Sequence, residues 1–389
     1  LPKPRTAFLA VLVDPENGLT LDQALTLWFP GPKTVTGEDL VELHLHGGRA
    51  VVAATLQSLS ERSGLRQAEA GEFTKRAFVN GRIDLAEAEG LADLLGAETE
   101  AQRRNAIAQV GGSLHRLTHG WVQQLLSLSA RVEAAIDFSD EDDVGVAPLS
   151  EVRAETLSIS ADIEQRLSGP PAERLHTGLR VAIIGPPNSG KSTLLNRLIS
   201  RDAAIVSSIP GTTRDVIEAP VRLAGLSLIF VDTAGIRQDT SDPIEKIGVE
   251  RSLIESESAD IVLALGGWSS FDTHAVVIDV SAKCDLDGPA SRGIKVSGKT
   301  GAGMIDLIDR ISEVAKSLLP TEDQIALNLR HRTALKLAVS ALQPITSEED
   351  ELLVAEHLRV ARLAIGTVTG GTDAEDMLDM LFGSFCIGK

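Results

Sequence analysis

Apolar and polar positions change rhythm along this chain, and each change marks a different kind of element. Residues 1 to about 80 mix short strands with short helices. Ala7 to Val13 is an apolar run that stops at Asp14-Pro15-Glu16-Asn17-Gly18, a strong turn signal. Ala24 to Phe29 reads as a second strand, closed by Pro30-Gly31-Pro32. Leu40 to His46 alternates and runs into Gly47-Gly48, as a half-buried strand does, and Ala50 to Arg62 follows with amphipathic helical spacing. This part is expected to be a small α+β unit.

From Ile83 to about Leu167 the period lengthens. Leu85, Ala88, Leu91, Leu94 and Leu95 share one helical face, and the helical run breaks at Gly111-Gly112 and at the acidic Ser139 to Asp143. Ser168-Gly169-Pro170-Pro171 reads as a linker. Between Leu179 and about Lys316, apolar strand-like runs alternate with helical ones, the pattern of a mostly parallel α/β sheet. After Pro320 the helical rhythm returns through Leu381. Helices on both sides of an α/β unit predict insertion of that unit into a helical domain. The expected domains are residues 1–80, 81–175 with 318–389, and the inserted 176–317. One connection departs from the pattern. About ten residues separate Ile261–Leu265 from the next strand at Val276. Parallel crossovers usually need a dozen or more and a helix, so the helix expected there is short or absent and the sheet is expected to be weakened at an edge.

Composition narrows the classes. At 389 residues, 43% of them hydrophobic, the chain has ample core for two or three domains. No run approaches the roughly 18 apolar residues of a membrane span, and no secretory signal opens the chain. It begins at Leu1 rather than Met, so an N-terminally incomplete chain is expected. Cys284 and Cys386 are the only cysteines, which points to a reducing cytoplasm and no disulfide framework. A net charge of −18 argues against a uniformly basic nucleic-acid surface, so any RNA contact is local or shared with a partner.

The chemistry-bearing stretch is Gly185 to Ser192, GPPNSGKS, between the apolar run Leu179–Ile184 and a helical Thr193–Ile199. Strand, glycine loop, Gly-Lys-Ser and helix make a phosphate-binding loop. Its glycines let backbone N–H groups turn toward a polyphosphate, and the helix adds its positive end. Lys191 would pair with β- and γ-phosphates, and Ser192 would ligate Mg²⁺. Gly211-Thr212-Thr213-Arg214-Asp215 lies where a first switch would sit. Leu228–Val231 leads into Asp232-Thr233-Ala234-Gly235, where a strand-end Asp232 suits Mg²⁺ and Gly235 suits a γ-phosphate contact.

For the base, Val276–Val280 leads into Ser281-Ala282-Lys283-Cys284-Asp285. Small GTPases use Asn-Lys-x-Asp here, with the Asp taking two guanine N–H groups. Lys283 and Asp285 are present, and Ala282 stands in the Asn position. Losing that amide costs about 1–3 kcal/mol where its partners stay buried and unpaired. Ser297-Gly298-Lys299 fits the last base-contacting loop. Ile236 follows the DTAG stretch where Ras-like enzymes carry a water-orienting Gln, so that role must be met elsewhere. Asn188 offers a side-chain carbonyl from which a monovalent cation could be held. Glu245 offers a carboxylate, although its spacing alone reads as a solvated helix charge.

With these motifs, the sequence resembles the MnmE (TrmE) family of tRNA-modification GTPases. The resemblance extends through DTAGIR and IEKIG around Glu245, and outside the nucleotide unit through TGEDLVELHLHGG, GEFTKRAFVNGRIDLAEAEG, VEAAIDF and the terminal Phe385 to Lys389. It implies a multidomain α/β + α protein, with a P-loop GTPase domain inserted in an all-helical domain and a folate-binding, dimerising α+β domain in front. It implies GTP hydrolysis activated by K⁺ as two GTPase domains pair. K⁺ falls by position to Asn188, Ser207, Ile209 and Thr212, the middle two through main-chain carbonyls, and Mg²⁺ to Ser192 and Thr213. Glu245 takes the catalytic carboxylate role, beside Lys191 and Gly235. The implied GTP contacts are Asn188, Ser189, Gly190, Lys191, Ser192, Thr193, Ser207, Thr212, Thr213, Asp232, Thr233, Ala234, Gly235, Lys283, Asp285, Ser297, Gly298 and Lys299.

Family members act with a flavoprotein partner, MnmG, which carries FAD. Together they install a carboxymethylaminomethyl- or aminomethyl-type group on tRNA uridine 34, with carbon from a folate such as 5-formyltetrahydrofolate. The folate residues implied are Glu42, Arg82 (where Lys is common) and Lys389. Without the resemblance, Glu42 reads as a solvated strand charge and Lys389 as a frayed tail. Cys386 reads as a structural thiol or a reactive one near the folate, since Gly388-Lys389 does not suit prenylation. His44 and His46 could bind metal at i, i+2, but core or folate-pocket roles suit them better. The competing readings are a ribosome-assembly GTPase switch and a nucleotide-binding scaffold.

Overall fold

The computed structural model describes residues 2–137, 149–186, 188–201, 217–232, 258–266, 273–286, 293–321, 324–370, 381–383 and 385. The chain divides into two compact units, residues 1–95, 109–127 and 362–389 in one and 96–108 and 128–361 in the other.

In the first unit, strands β1 (Phe8–Val13), β2 (Thr20–Phe29) and β3 (Leu40–His44) form an antiparallel sheet in that order. The β1–β2 turn is built by Asp14, whose carboxylate accepts from the Glu16 N–H at 3.0 Å and from Asn17 Nδ2 at 2.7 Å. Strand β2 starts earlier than its apolar pattern predicts, because pairing with β1 carries the ladder back to Val13↔Thr20. Ala24 and Thr26 are buried on one face of the pleat, while Leu9 (64%), Val11 (58%) and Leu25 (40%) stay exposed on the other. Of the two roles expected for His44 and His46, core or folate pocket, exposure removes the first. His44 is exposed with Nε2 3.2 Å from Glu42. His46 lies beyond the end of β3, exposed, with Nδ1 2.8 Å from Asp22.

Helix α1 (Arg49–Ser60) follows, then α2 (Glu72–Val79) and α3 (Leu85–Gly96). Gly71 starts α2 at φ +68°, and a Cβ there would lie 2.3 Å from the Phe382 carbonyl oxygen. Only glycine permits both that backbone conformation and that approach. The C-terminal segment is therefore seated against α2, and Phe382 and Phe385 pack with Phe78, Ile83, Ala88 and Leu91. On α3 the predicted face is only partly covered: Leu85 and Ala88 are fully buried, but Leu95 is 43% exposed. Helix α4 (Glu100–Val110) and α5 (Ser113–Asp137) break at Gly111-Gly112 as the sequence predicts, Gly112 taking φ +72°. The acidic Ser139–Asp143 lies outside the described residues.

In the second unit, α6 (Leu149–Leu167) stops at the predicted linker. Arg332 closes that helix end by donating to the carbonyls of Leu167 (2.5 Å) and Gly169 (3.1 Å), which have no intrahelical partner. A short α7 (Glu173–His176) leads into the sheet of β4 (Leu179–Ile184), β5 (Ile217–Leu223), β6 (Leu226–Asp232), β7 (Ile261–Leu265), β8 (Val276–Ala282) and β9 (Ile294–Val296). Their spatial order is β5-β6-β4-β7-β8-β9, with β5–β6 an antiparallel hairpin and the other pairs parallel. The near-continuous apolar runs of β4 and β7 follow from this central position, since every residue of β7 is buried. One face carries Val181, Ile183 and Leu263, packed with Leu194, Leu195 and Leu198 of α8 (Lys191–Arg201) and with Leu307 and Ile311 of α9 (Met304–Leu318). Ala182, Ile184, Val262 and Ala264 form the core on the other. Helices α10 (Leu329–Leu342) and α11 (Glu351–Gly366) complete the described helical part.

The short connection after Leu265 does not leave a weak edge. Strands β7 and β8 pair in parallel, Ile261↔Val276 through Leu265↔Val280, inside the sheet rather than at its border. A return along a five-residue strand covers about 16 Å, and ten residues reach roughly 33 Å, so the link suffices. The architecture is multidomain α/β + α, as the sequence pattern predicts.

Candidate functional site

The strand order reverses direction around β4: β6 lies on one side and β7 on the other. In open α/β sheets the crevice at such a switch point, beyond the carboxyl ends of the strands, is where ligands bind. The GPPNSGKS loop leaves β4 at this point. Asp232 ends β6 one step past the Ala182↔Val231 pair, at the same end of the sheet as the loop.

Within the loop, Asn188 takes φ +59°, a left-handed conformation that Asn tolerates better than most residues. Gly190 takes φ +101°, and a Cβ there would meet Ala282 and Lys283 only at ordinary contact distances of 3.7 to 3.8 Å, so the backbone conformation rather than crowding demands glycine there. Lys191 opens α8, and its Nζ donates to the carbonyls of Gly185 (2.8 Å) and Pro186 (3.0 Å). Its charge is thus held directly over the loop. Ser189 Oγ is buried without a hydrogen-bond partner, a cost an anionic ligand would relieve. Ser192 is the second residue of α8 and half-buried, with Thr193 beside it exposed. A backbone-lined loop, a helix N-terminus, an ammonium and an orphaned hydroxyl fit a polyphosphate.

Next to the loop opens a cavity of about 220 Å³, bordered by Gly190, Thr193 and Leu194 on one side and by Ala282, Lys283, Asp285, Leu286 and Val296–Lys299 on the other. That volume suits a nucleobase and lies below the usual range for whole drug-sized ligands. Two tight turns shape it. Lys283 takes φ +63°, its carbonyl accepts from the Leu286 N–H at 3.0 Å, and its Nζ donates to the Asn188 carbonyl at 2.5 Å. Ser297 is fully buried; its N–H donates to the Ala302 carbonyl at 2.9 Å, and its Oγ accepts from the Thr300 N–H at 3.1 Å. The Ser297 hydroxyl also bonds the Asp285 carboxylate. That bond, the residue's own backbone N–H and the charges of Lys299 and Lys283 hold Asp285 below the ordinary carboxylate range.

Ser297→Ala removes that support and leaves the Thr300 N–H without its acceptor. The expected result is GTP affinity lower by roughly tenfold. The sign of the pH effect follows from the depressed pKa. Asp285 stays ionised, and able to accept N–H groups, down to an unusually low pH. The variant should lose affinity at a higher pH than the natural chain as acid is added. GTP binding measured between about pH 4 and pH 7 checks both, and superimposable pH curves would count against the Ser297–Asp285 link.

The loop and the base cavity share Gly190, so Asn188 to Thr193 and Lys283, Asp285 and Ser297 to Lys299 form one continuous site. The switch and catalytic candidates Ser207, Ile209, Thr212, Thr213, Thr233, Ala234, Gly235 and Glu245 lie outside the described residues, as do Cys386 and Lys389. For the folate set, Glu42 sits on β3 opposite Leu27 beside His44, and Arg82 Nε donates to the Thr34 carbonyl at 3.0 Å.

Sequence reasoning missed two things. Lys283 reaches across to the phosphate loop, which only its left-handed backbone reveals. A cavity of about 700 Å³ in the first unit is also unanticipated, lined by Arg66, Glu72, Lys75, Arg76 and Phe382 among others. Its trace in the sequence is the GEFTKR stretch, whose Glu72 pairs with Arg66 at 2.8 Å.

Residues 1–82 match the profile of the GTP-binding protein TrmE N-terminus, and residues 85–386 that of the MnmE helical domain. The tRNA modification GTPase MnmE of Rhizorhabdus wittichii is 51% identical over 389 residues, spanning 100% of this chain and 88% of its own. Its counterparts in Erythrobacter litoralis (50% over 393 residues, 100% and 92%) and Sphingopyxis alaskensis (49% over 402 residues, 100% and 96%) are similar. With both profiles matched in order and half of all residues shared along its whole length, the chain belongs to the MnmE family of tRNA modification GTPases.

Proposed function

We propose that the chain binds and hydrolyses GTP as a component of tRNA wobble-uridine modification. The observation that carries this reading is the continuity of the phosphate loop with a base-sized cavity whose described lining holds a single carboxylate, Asp285. The carboxylate accepts two guanine N–H groups. Gly190 and the first turn of α8 bring backbone N–H groups to the phosphates, and Lys191 shifts from its loop carbonyls to the β- and γ-phosphate oxygens. Gly235 and Glu245 complete the site in this reading, Gly235 at the γ-phosphate and Glu245 orienting the attacking water.

Ser192, Asp232 and Thr213 would hold Mg²⁺, which neutralises charge between the β- and γ-phosphates when bound. Asn188, Ser207, Ile209 and Thr212 would hold K⁺, which supplies the positive charge an arginine finger provides elsewhere. Ile236 supports this assignment, because an aliphatic side chain cannot orient water.

We further propose a folate-binding domain over residues 1–80, helical segments 81–175 and 318–389, and a GTPase domain over 176–317. Glu42, Arg82 and Lys389 bind the folate, and Cys386 supplies a thiol beside it. A homodimer is supported by the uncovered apolar sheet face of Leu9, Val11 and Leu25. The flavoprotein MnmG and tRNA are the expected partners, and the expected compartment is the cytoplasm. Among the described residues no helix is long and apolar enough to cross a membrane.

The test is GTP turnover with the same protein in KCl and in NaCl. Clear stimulation by K⁺ is expected. Equal rates in the two salts would remove the cation mechanism, and no turnover in either would favour a nucleotide-binding scaffold.

A further inference from the structure

Among the described residues, the base cavity carries few groups able to read a base. Its side-chain acceptor of note is Asp285, and guanine's neighbouring N1–H and N2–H₂ match a carboxylate. Guanine also presents acceptors, O6 and N7, which need donors. The donors lining the cavity are largely committed. The Ser297 hydroxyl bonds Asp285, and the Lys283 ammonium is on the Asn188 carbonyl at 2.5 Å. Lys299 is exposed beside the Asp285 charge, and Thr193 lies on the exposed side of α8. With the Ser297 N–H on the Ala302 carbonyl, the backbone N–H groups of Gly298 and Lys299 face O6, next to the edge that Asp285 reads.

The wall adjoining the phosphate loop is different. Ala282 closes it, with its Cβ 3.7 Å from where a Cβ on Gly190 would stand. A methyl group donates nothing. Leu194, Leu286 and Val296 complete the apolar part of the lining.

We propose that this site selects guanine through its N1–H and N2–H₂ groups and leaves N7 unread, because Ala282 supplies a methyl where a side-chain donor would be needed. The inference rests on the GTP-binding reading above and specifies how that site recognises its base. A site built around a hydrogen bond rejects the analogue lacking it by large factors, whereas a site without the bond is indifferent. The consequence is unusual tolerance at one atom combined with ordinary strictness at another.

Equilibrium binding of GTP, 7-deaza-GTP and ITP to the full chain tests this. 7-Deaza-GTP, with C–H in place of N7, is expected to bind within about twofold of GTP. ITP, which lacks the N2 amine, is expected to bind at least roughly tenfold more weakly. Ala282→Asn should tighten GTP by roughly tenfold while leaving 7-deaza-GTP unchanged, creating a preference the natural chain lacks. If the natural chain binds GTP but discriminates against 7-deaza-GTP by about tenfold or more, N7 is read and the proposal is overturned while the GTP-binding reading stands. If GTP itself does not bind, that underlying reading fails and takes this one with it. The measurements on the natural chain decide the matter even if the Asn variant folds poorly.

Discussion

Asp285→Asn is expected to cost the protein its affinity for GTP and to give it affinity for XTP. The carboxylate accepts two N–H groups from guanine, and charged hydrogen bonds of this kind contribute about 1.5–3 kcal/mol each. Losing both amounts to roughly a hundredfold to ten-thousandfold in affinity. Asn keeps the shape of the side chain but turns one acceptor into a donor. Guanine's N2 amine then faces an N–H group, a repulsive pair, whereas xanthine offers a carbonyl at that atom and restores the match. The fold should be indifferent, because Asp285 is exposed and supports no helix or strand. Titrating GTP and XTP against both proteins, with thermal melting as the control, gives the answer. Unchanged GTP affinity in the variant would mean that the base sits elsewhere.

This expectation depends on residues that were legible in the sequence to different degrees. The phosphate loop could be read outright, because a buried strand, a glycine turn and an amphipathic helix are local patterns. Leu179–Ile184 and Lys191–Arg201 lie where their periodicity places them. Asp285 and Ser297 could each be named from spacing, but their bond could not. It depends on β8 and β9 pairing in parallel, Val280↔Ile294, a contact that the order of the segments along the chain does not reveal. The strand order is likewise invisible in a linear pattern. That is why the connection after Leu265 looked too short from the sequence although its partner strand is the immediate neighbour.

The first unit shows the limit from the other side. Alternation along Leu40 to His46 marks a strand correctly, but it cannot say which face is covered. His44 is exposed because, among the described residues, little packs on that sheet face, and His46 lies beyond the strand. The same limit applies to Leu9, Val11 and Leu25, which sit in runs read as apolar strands and are exposed. Gly71 was unremarkable as sequence. Only its closeness to the Phe382 carbonyl explains why no other residue suits it. The match of residues 1–82 to the TrmE N-terminus also separates this chain from a ribosome-assembly switch, which the phosphate-loop motifs alone do not.

The largest loss of catalysis is expected from Lys191→Ala. Without a nucleotide, the ammonium is satisfied by the carbonyls of Gly185 and Pro186, both half-buried at the loop surface. Water can replace it there, so stability should fall by no more than about 1 kcal/mol. The phosphates have no such substitute. During transfer, negative charge grows on the oxygen bridging the β- and γ-phosphates, and Lys191 is the cation the loop itself supplies at that place. Removing one neutral oxyanion donor from an enzyme costs about a hundredfold to a thousandfold, and a full charge in a preorganised loop should cost at least as much. Single-turnover cleavage at saturating GTP is therefore expected to slow by about a thousandfold or more, with a smaller loss in binding. Lys191→Arg should not rescue it, because a planar guanidinium cannot sit on two carbonyls of so tight a turn as a compact ammonium does. Cleavage within roughly tenfold of the natural rate in the alanine variant would show that this lysine holds the loop in shape without stabilising the reaction.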